Sequence, residues 1–502
     1  MATFLGLDVG TSATKAILIN EAGEVLATAM GEHEPSSPAV GFSEQDPRDW
    51  WRSTVESIGA VTRQAGVSPA SIDAIGPTGQ MHGLVTLDGA LDPIRPAIMW
   101  NDQRSAAQCE AFEAFFSVER LIEETGNRML PGFTAPKLLW MREHEPEAYA
   151  RIAHVLLPKD YIRFRLSGSL STDVSDASGT SVFACGRREW SELMLEALDL
   201  PRAWWPDAHE SPSVTAHVSV DAANQTGLSQ GTPIVAGAGD QAASAVGMGL
   251  VEPGAVGVTL GTSGVVFSAS DSWRTTPDGS LHAFCHAVPN TWHVMGVMLA
   301  AAGSYQWFND AIAPDLGAPE ALDRLAAATP LGAEGLFFLP YLSGERTPHP
   351  DPNARGCFIG LTTRHTRGHL ARAVLEGVAH GLREALDLVR NLGHPVEHAR
   401  LSGGGAKSRL WSQLIADTLD ISLASTTSTE GTAYGAALLA SVGGGAFASI
   451  QEACEATVHE QSRVTPGTDA TFLADAHGLY SGLYGALAPA FTAIANQGAR
   501  ST

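Results

Sequence analysis

The sequence predicts an α/β protein with two related domains. A Gly-Thr-Ser segment occurs at 10–12 and again at 261–263, each time between two apolar runs, which indicates a strand, a tight turn and a second strand. Strand-length apolar segments alternate with helix-length segments in both halves, as is typical of layered α/β domains. Because the motif is repeated, we expect domains at 1–248 and 249–502, divided where glycines and a proline cluster near 245–255.

Local signals predict the elements of the first half. Asp46 as N-cap, Pro47 in the first turn and Gly66 at the end mark one helix clearly. Turn residues are so dense at 76–83 that we expect a loop there, directly after a strand. The predicted elements are strands at 3–9, 16–20 and 25–30, a helix at 47–65, a strand at 72–75, helices at 136–143 and 190–198, a strand at 233–237 and a helix at 242–248.

The second half repeats this organisation. Three consecutive glycines, 403–405, stand between an apolar segment and an amphipathic one, as a turn between a strand and a helix would. The predicted elements are strands at 255–260 and 265–267, a long helix at 367–391, a strand at 399–402 and a helix at 408–419.

Composition limits the class of partner. Hydrophobic residues make up 44% of the 502 residues and charged ones only 17%, below the usual value of about 25%, which indicates a large buried interior. The formal net charge of −23 argues against nucleic acid or an anionic membrane as a partner, because both require basic surfaces. A small phosphate ligand needs only local donors and is not excluded.

Cysteine usage and hydropathy predict a cytoplasmic protein. The five cysteines are scattered, odd in number and without CxxC spacing, so we expect thiols in a reducing compartment. The first residues read as a strand rather than as a signal peptide. No apolar run approaches the roughly 18 residues that a membrane span needs. The sequence leaves the oligomeric state open, a homodimer included.

The two Gly-Thr-Ser turns are candidates for binding one polyphosphate. Glycine allows a tight turn and a close approach of the backbone to a ligand, and turn N–H groups and hydroxyls can donate to phosphate oxygens. Gly10, Thr11 and Ser12 would act from the first copy, and Gly261 and Thr262 from the second.

The two copies differ at the position two residues before the turn. Asp8 occupies it in the first copy and Thr259 in the second. A carboxylate on one side only favours a metal position at Asp8, and turn capping is the alternative. Lys15 either places a charge near the phosphates or is solvated, and the sequence does not decide between the two.

Longer motifs carry a family resemblance. Residues 132–140 read GFTAPKLLW, and 356–376 include Gly360-Leu361 and end in AVLE. The shorter motifs are SEQDP at 43–47 followed by Trp50-Trp51, GQMHG at 79–83, WND at 100–102, LLPKDY at 156–161, FCHA at 284–287 and LPYLSGERTPH at 339–349. In these motifs, from about residue 4 to about 445, the chain resembles the FGGY carbohydrate kinases, and within that family it looks most like the xylulose kinases.

The resemblance implies a fold and an activity. It implies two actin-like, ribonuclease-H-like ATPase domains with a cleft between them, the first binding sugar and the second nucleotide. It implies ATP-dependent phosphorylation of D-xylulose to D-xylulose 5-phosphate with release of ADP, and Mg²⁺ as the metal. Phosphoryl transfer to a hydroxyl depends mainly on positioning and charge stabilisation.

The resemblance also implies roles for particular residues. Asp240, at a strand end, would be the general base, although an N-cap for the next helix is the plain alternative. Asp8 would hold Mg²⁺ next to the phosphates. The sugar would meet Gln80, Met81, His82, Trp100, Asn101, Asp102, Asp240 and Gln241. The adenosine would lie against Gly403, Gly404, Gly405 and Ala406.

Two alternatives remain open. Another ketopentose or a pentitol, such as D-ribulose or D-arabitol, could be the substrate of the same kind of kinase. A non-enzymatic, actin-like nucleotide switch would share the fold, but it would not need the GQMHG and WND loops.

Overall fold

Two seven-stranded sheets that share their central strand arrangement form the centre of the structure, a computed structural model that describes residues 2–317, 319–396, 398–427 and 431–498. The strands of the first sheet are β1 Thr3–Val9, β2 Ala13–Asn20, β3 Val25–Glu32, β4 Ala74–Gly79, β5 Val214–His217, β6 Pro233–Val235 and β7 Ala238–Gly239. Those of the second are β8 Val256–Leu260, β9 Gly264–Ser270, β10 His282–Cys285, β11 Trp292–Met298, β12 His398–Ser402, β13 Ser422–Thr426 and β14 Glu460–Val464.

The strand order confirms the predicted duplication. The first sheet runs β5-β6-β4-β1-β2-β3, with β7 also paired to β4, and the second runs β10-β11-β9-β8-β12-β13-β14. In each sheet an antiparallel hairpin, β1–β2 or β8–β9, carries the Gly-Thr-Ser loop. A parallel strand, β4 or β12, lies on the other side of the hairpin's first strand. The repeated sequence motif therefore occupies the same place in both sheets.

Helices cover both sheets. The helices that matter most below are α1 Pro47–Ala65, α2 Thr134–His144, α3 Pro158–Ser167, α4 Asp240–Gly247, α5 Arg367–Asn391, α6 Arg409–Leu419 and α7 Gly431–Gly443. The others are Ala106–Glu113, Val118–Thr125, Pro146–Tyr149, Val174–Ala177, Glu192–Leu198, Val220–Thr226, Ala302–Ala311, Pro319–Ala327, Ile450–Thr457, Ala470–Tyr480 and Leu483–Gly498. Two-stranded ribbons pair Glu44–Gln45 with Ala97–Ile98, Val85–Leu87 with His154–Leu156, Thr172–Asp173 with Ala208–His209, Phe183–Ala184 with Glu189–Trp190 and Phe337–Leu339 with Cys357–Ile359.

Helix α1 confirms its predicted ends. The Asp46 side chain accepts the N–H of Arg48 at 2.9 Å, Pro47 is the first helical residue, and Gly66 closes the helix with φ 68°. That left-handed conformation suits glycine because it has no Cβ.

Helix α7, from the second half of the chain, packs on the first sheet and on α4. A Cβ on Gly76 would lie 2.0 Å from the carbonyl oxygen of Ala436, and one on Gly435 would lie 1.8 Å from that of Ala243. These approaches leave no room for a side chain. The two halves are thus joined through buried helix surfaces as well as through the connecting chain.

The predicted loop at 76–83 is wrong in its first part, because β4 continues to Gly79. Gly76 is required beneath α7 rather than in a turn. Pro77 cannot donate a hydrogen bond, but it lies where the neighbouring strand is interrupted between β6 and β7.

Two predicted helix starts are also corrected. The helix at 190–198 begins at Glu192, because Trp190 pairs with Phe183 in a ribbon and Ser191 is the N-cap. The helix predicted from 242 begins at Asp240. No helix among the described residues is long and apolar enough to cross a membrane.

Candidate active site

Three parallel strands bring the main candidate residues to one edge of the first sheet. In the register of β1, β4 and β7, Asp8 lies beside Thr78, and Thr78 lies beside Ala238. The three strands therefore end at the same edge of the sheet, where β1 is followed by the first Gly-Thr-Ser loop, β4 by the GQMHG loop and β7 by Asp240. The carboxyl edge of parallel strands is where α/β sheets bind ligands.

Asp240 is half-buried, and its carboxylate does not cap a helix. It is the first residue of α4, and Gly239 is the N-cap, so the capping alternative is wrong. The neighbouring Gln241 donates to Oδ1 at 3.4 Å. Burial raises the pKa of Asp240 to about 6, against hydrogen bonds from Gln241 that lower it. At neutral pH this carboxylate is ionised and still basic enough to accept a proton.

Asp8 shares this edge with Asp240. Burial raises the pKa of Asp8 to about 7, the charge of Asp240 raises it further, and the charge of Lys15 opposes both. Asp240, with the lower pKa, ionises first, and its charge then disfavours a second carboxylate. A divalent cation would relieve this repulsion, and Mg²⁺ is commonly held by one or two carboxylates together with phosphates and water. The donors present therefore fit Mg²⁺.

The second sheet lacks this acidic pair. Thr259 follows the register of Asp8 and exchanges a hydrogen bond of 3.0 Å with Ser402 on the parallel strand. Two hydroxyls satisfy each other there, so the two edges are chemically different.

Two glutamines brace the first Gly-Thr-Ser loop. The Gln80 amide donates to the Gly10 carbonyl at 3.0 Å and to Gln45 Oε1 at 2.9 Å, and it accepts from the Thr11 hydroxyl at 3.2 Å. Gln45, from the SEQDP motif, donates to the Thr11 carbonyl. Sequence reasoning missed Gln45, and it assigned Gln80 to the sugar, whereas here the Gln80 amide holds the loop.

The two loop glycines, Gly10 and Gly261, have ordinary backbone conformations. Neither Gly10 nor Gly261 has a positive φ. A Cβ on Gly261 would meet only the Ser263 carbonyl, at 3.5 Å. The turn therefore does not require glycine at 261, and close approach of a ligand is a physical reason for it there, whereas a Cβ on Gly10 would crowd the Ala13 carbonyl oxygen at 3.1 Å.

His82 is held rigidly with one ring nitrogen open. Its backbone has φ 69°, and its ring stacks on Phe133 with centroids 4.4 Å apart. Nδ1 lies 2.8 Å from the Gly179 carbonyl, so Nδ1 carries the proton and donates it. Burial lowers the pKa of His82 to about 3. The neutral ring is therefore left with Nε2 as an acceptor, which has no hydrogen-bond partner among the described residues.

Lys137, in the GFTAPKLLW motif, fixes the backbone of His82. The ammonium donates to the His82 carbonyl at 2.9 Å and to the Gly132 carbonyl at 2.8 Å. Burial lowers the pKa of Lys137 to about 7, with the charge of Asp102 opposing. Sequence reasoning used the motif for the resemblance but missed this function.

Of the three WND residues, Trp100 and Asn101 are exposed and Asp102 is buried. Trp100 is 43% exposed, and its indole N–H lies 3.4 Å from the Thr11 hydroxyl. Asn101 is exposed. Asp102 is fully buried, pairs with Arg104 at 2.8 Å and accepts the N–H of Ser43 at 2.6 Å. These contacts make Asp102 a support for the loop instead of the sugar contact that the sequence predicts.

A buried ion cluster supports the backbone next to Asp240. The Ser175 hydroxyl accepts the Gly239 N–H at 3.1 Å and donates to Asp173 at 2.5 Å. Lys159, in the LLPKDY motif, pairs with Asp173 at 2.9 Å and also with Asp160 and Asp176. Burial opposes the Lys159 charge, but the three carboxylates raise its pKa overall. The motif thus has a structural connection to the candidate base.

The glycine turn of the second sheet follows β12 at the edge that carries the second Gly-Thr-Ser loop. Gly403 has φ 92°, and a Cβ there would lie 2.5 Å from the Leu260 carbonyl oxygen, so glycine is required. A Cβ on Gly404 would have open space around it. Ala406 follows in a short 3₁₀ turn, and Ser408 caps α6. The bare backbone leaves room for a flat ligand, and adenosine binding here stays a prediction.

Comparison with known proteins decides the family. The family model described as the FGGY family of carbohydrate kinases, N-terminal domain, matches residues 3–247, and that of the C-terminal domain matches 256–444. The chain belongs to the FGGY family of carbohydrate kinases. The predicted two-domain, actin-like fold is confirmed with it, and the division at 248/249 stays a prediction.

Individual FGGY kinases are similar over nearly the whole chain. The xylulose kinase of Escherichia coli (strain K12) is 43% identical over 92% of this chain and 94% of its own length. The crystal structure of xylulose kinase from Rhodospirillum rubrum is 33% identical, with a TM-score of 0.92 over 98% of this chain and all of its own. A gluconate kinase structure from Lactobacillus acidophilus has a TM-score of 0.93 at 26% identity, over 98% of this chain and 99% of its own. The FGGY fold therefore serves more than one sugar.

The pH dependence of this carbohydrate kinase is expected to follow Asp240. Because its pKa is about 6, kcat/KM at saturating Mg²⁺ should fall about tenfold per unit as the pH decreases below about 6. The fall follows protonation of the carboxylate, which can then no longer accept a proton. A pH–rate profile from 4.5 to 8.5 tests this, and a flat profile between 5 and 7 would contradict it.

Proposed function

We propose that this kinase transfers the γ-phosphoryl group of ATP to D-xylulose, giving D-xylulose 5-phosphate and ADP. The observation that supports it most strongly is the position of the Asp240 carboxylate, which caps no helix, at the edge it shares with the first Gly-Thr-Ser loop and the GQMHG loop. The choice of sugar rests on the similarity to xylulose kinases, such as the 43% identity to that of Escherichia coli.

Asp240 acts as the general base. It accepts the proton of the sugar's terminal hydroxyl while the hydroxyl oxygen forms a bond to the γ-phosphorus. The bond from that phosphorus to ADP breaks, and its electron pair leaves with ADP. The backbone contact between Gly239 and Ser175 keeps the start of α4 fixed during this step.

Asp8 would hold Mg²⁺, with Asp240 nearby. When bound, the metal neutralises charge on the phosphates. Gly10, Thr11 and Ser12 would line the phosphates from the first domain, with Lys15 adding charge, and Gly261 and Thr262 would line them from the second. Residues 403–406 would carry the adenosine.

The sugar would lie between the GQMHG and WND loops. His82 Nε2 accepts a hydrogen bond from one sugar hydroxyl, and Asn101 and Gln241 offer further polar groups. Met81, packed against Gly239, and Trp100 offer apolar walls. Closure of the two domains over both substrates would exclude water and limit hydrolysis of ATP.

His82→Ala is expected to reduce the discrimination between D-xylulose and its C3 epimer D-ribulose more than it changes KM for ATP. A pocket rejects an epimer by leaving its own buried polar groups unpaired, at about 1–3 kcal/mol for each lost contact. The matched control is His144→Ala, at an exposed histidine on α2. Kinetics with both ketopentoses test this, and an unchanged ratio of kcat/KM values would remove His82 from the sugar site.

A coupled assay of ADP release, with and without D-xylulose, tests the proposed function against a nucleotide switch. D-Xylulose should stimulate ADP release many-fold and be converted to its phosphate. If ADP release is independent of every sugar, the proposal is wrong and a switch is favoured.

A further inference from the structure

Arg346 lies in the LPYLSGERTPH segment, which the proposed function does not yet use. Its two neighbours anchor it to the end of β11. The Thr347 N–H donates to the Val297 carbonyl at 3.1 Å, and the Thr347 hydroxyl accepts the Val297 N–H at 3.0 Å. The Glu345 carboxyl accepts the Leu299 N–H at 2.9 Å. The backbone of Arg346 is therefore fixed from both sides.

The same end of β11 supports the second Gly-Thr-Ser loop. Met298 pairs with Gly264, the residue directly after the loop. A few residues on, the Ala301 N–H donates to the Thr262 carbonyl at 2.8 Å, and the Ala302 N–H donates to that of Gly261 at 2.9 Å. The residues around Arg346 and the candidate phosphate loop thus contact one stretch of backbone, 297–302.

Arg346 also lies near the candidate sugar site. Its positive charge contributes to lowering the pKa of both His82 and His282. His282 belongs to β10, and its ring stacks on Phe284, which in turn lies 6.2 Å from the His82 ring. The backbone of Arg346 is therefore tied to the segment that supports the phosphate loop of the second domain, and its charge acts on the His82 side of the site.

The Arg346 guanidinium is available for a ligand. The residue is exposed, and its side chain has no hydrogen bond or ion pair with the described residues. The neighbouring Glu345 carboxyl accepts the backbone N–H groups of Leu299 and Arg346 and forms no ion pair with the guanidinium in the described structure. By contrast, the ammonium groups of Lys137 and Lys159 are buried and bonded. A guanidinium with open donors suits the oxygens of a phosphoryl group.

We propose that Arg346 binds the phosphoryl group during its transfer from ATP to the sugar, and afterwards the phosphate of the sugar phosphate. This inference rests on the proposed kinase function. The P–O bond to ADP breaks with its electron pair, the new P–O bond forms at the sugar hydroxyl, and Asp240 takes the proton. Arg346 neutralises charge on the transferred oxygens and keeps its own protons throughout.

The test compares Arg346→Met and Arg346→Lys with the parent, and Arg355→Met is the matched control. Arg355 lies in the same part of the chain, and its guanidinium donates only to backbone carbonyls in the described structure. The methionine variant should lose about 10²–10³ in kcat for D-xylulose, and the lysine variant should be intermediate. Calorimetry should show D-xylulose 5-phosphate binding weakened at least about tenfold, with D-xylulose binding within about threefold of the parent.

Three outcomes would overturn the inference. Arg346→Met could keep the kcat and the product affinity of the parent, or it could lose affinity for the sugar and for the sugar phosphate equally. In the third outcome, the Arg355→Met control loses as much kcat and product affinity as Arg346→Met. Hydrolysis of ATP without sugar should also decrease in Arg346→Met, because water then receives the same phosphoryl group. If the parent does not act on D-xylulose, the proposed function is wrong, and this hydrolysis comparison still decides the role of Arg346. An unchanged rate of hydrolysis would then overturn it.

Discussion

Asp240→Asn is expected to lower kcat by about 10²–10⁴ while both substrates still bind. The amide keeps the size of the side chain but cannot accept the hydroxyl proton at neutral pH. The loss should appear in kcat more than in KM, because the base acts in the transition state. Steady-state kinetics with D-xylulose and ATP measure it.

The stability of this variant separates a catalytic role from a structural one. The folded-state pKa of Asp240 is raised from 3.8 to about 6, so ionisation opposes folding by about 3 kcal/mol. This cost is absent below about pH 4 and fully present above about pH 6. Tm at pH 7.5 should therefore not decrease in Asp240→Asn. The matched control is Asp199→Asn, whose side chain is 98% exposed. Turnover within about tenfold of the parent, in a folded variant, would contradict the assignment.

Asp8→Asn is expected to weaken the use of Mg²⁺. At low Mg²⁺ the loss in kcat/KM should be on the order of 10²-fold, and high Mg²⁺ should restore part of it, because the carboxylate acts through its charge. Magnesium titrations of activity at fixed ATP measure the effect. The alternative, a turn-capping Asp8, gives a normal Mg²⁺ dependence and normal turnover, and this result would remove Asp8 from the metal site.

The pH dependence of the stability of Asp8→Asn provides a second test of the role of Asp8. Because burial and Asp240 raise the pKa of Asp8 to about 7, its ionised form destabilises the fold at and above neutral pH, and lowering the pH through 7 relieves this. Asp8→Asn should therefore be at least as stable as the parent at pH 8. A large decrease in Tm would indicate a structural carboxylate instead.

Much of the fold follows from local sequence signals. The caps of α1 and the repeated hairpin loops are short-range patterns, and the structure confirms them. The error at 76–79 has a tertiary cause, because Gly76 and Pro77 look like turn residues in the sequence. Gly76 is required by the close approach of α7, which is distant in sequence. Pro77 is tolerated because it lies opposite the break between β6 and β7.

The site was only partly predictable. Strand register places Asp8 and Asp240 at one edge, and a strand-end rule could anticipate that. The supporting contacts could not be anticipated. Lys137 reaches the His82 carbonyl across 55 positions, and Gln80 turns its amide to the phosphate loop. Such contacts depend on how separate segments pack, and neither periodicity nor motif spacing reports that packing.

The most direct test is the comparison of kcat/KM for D-xylulose, D-ribulose and D-arabitol at saturating ATP and Mg²⁺. D-Xylulose should exceed D-ribulose at least about tenfold, with phosphorylation at the terminal hydroxyl and one ADP per sugar phosphate. If D-ribulose or D-arabitol is the better substrate, the chain remains a carbohydrate kinase, but the assignment of D-xylulose is wrong.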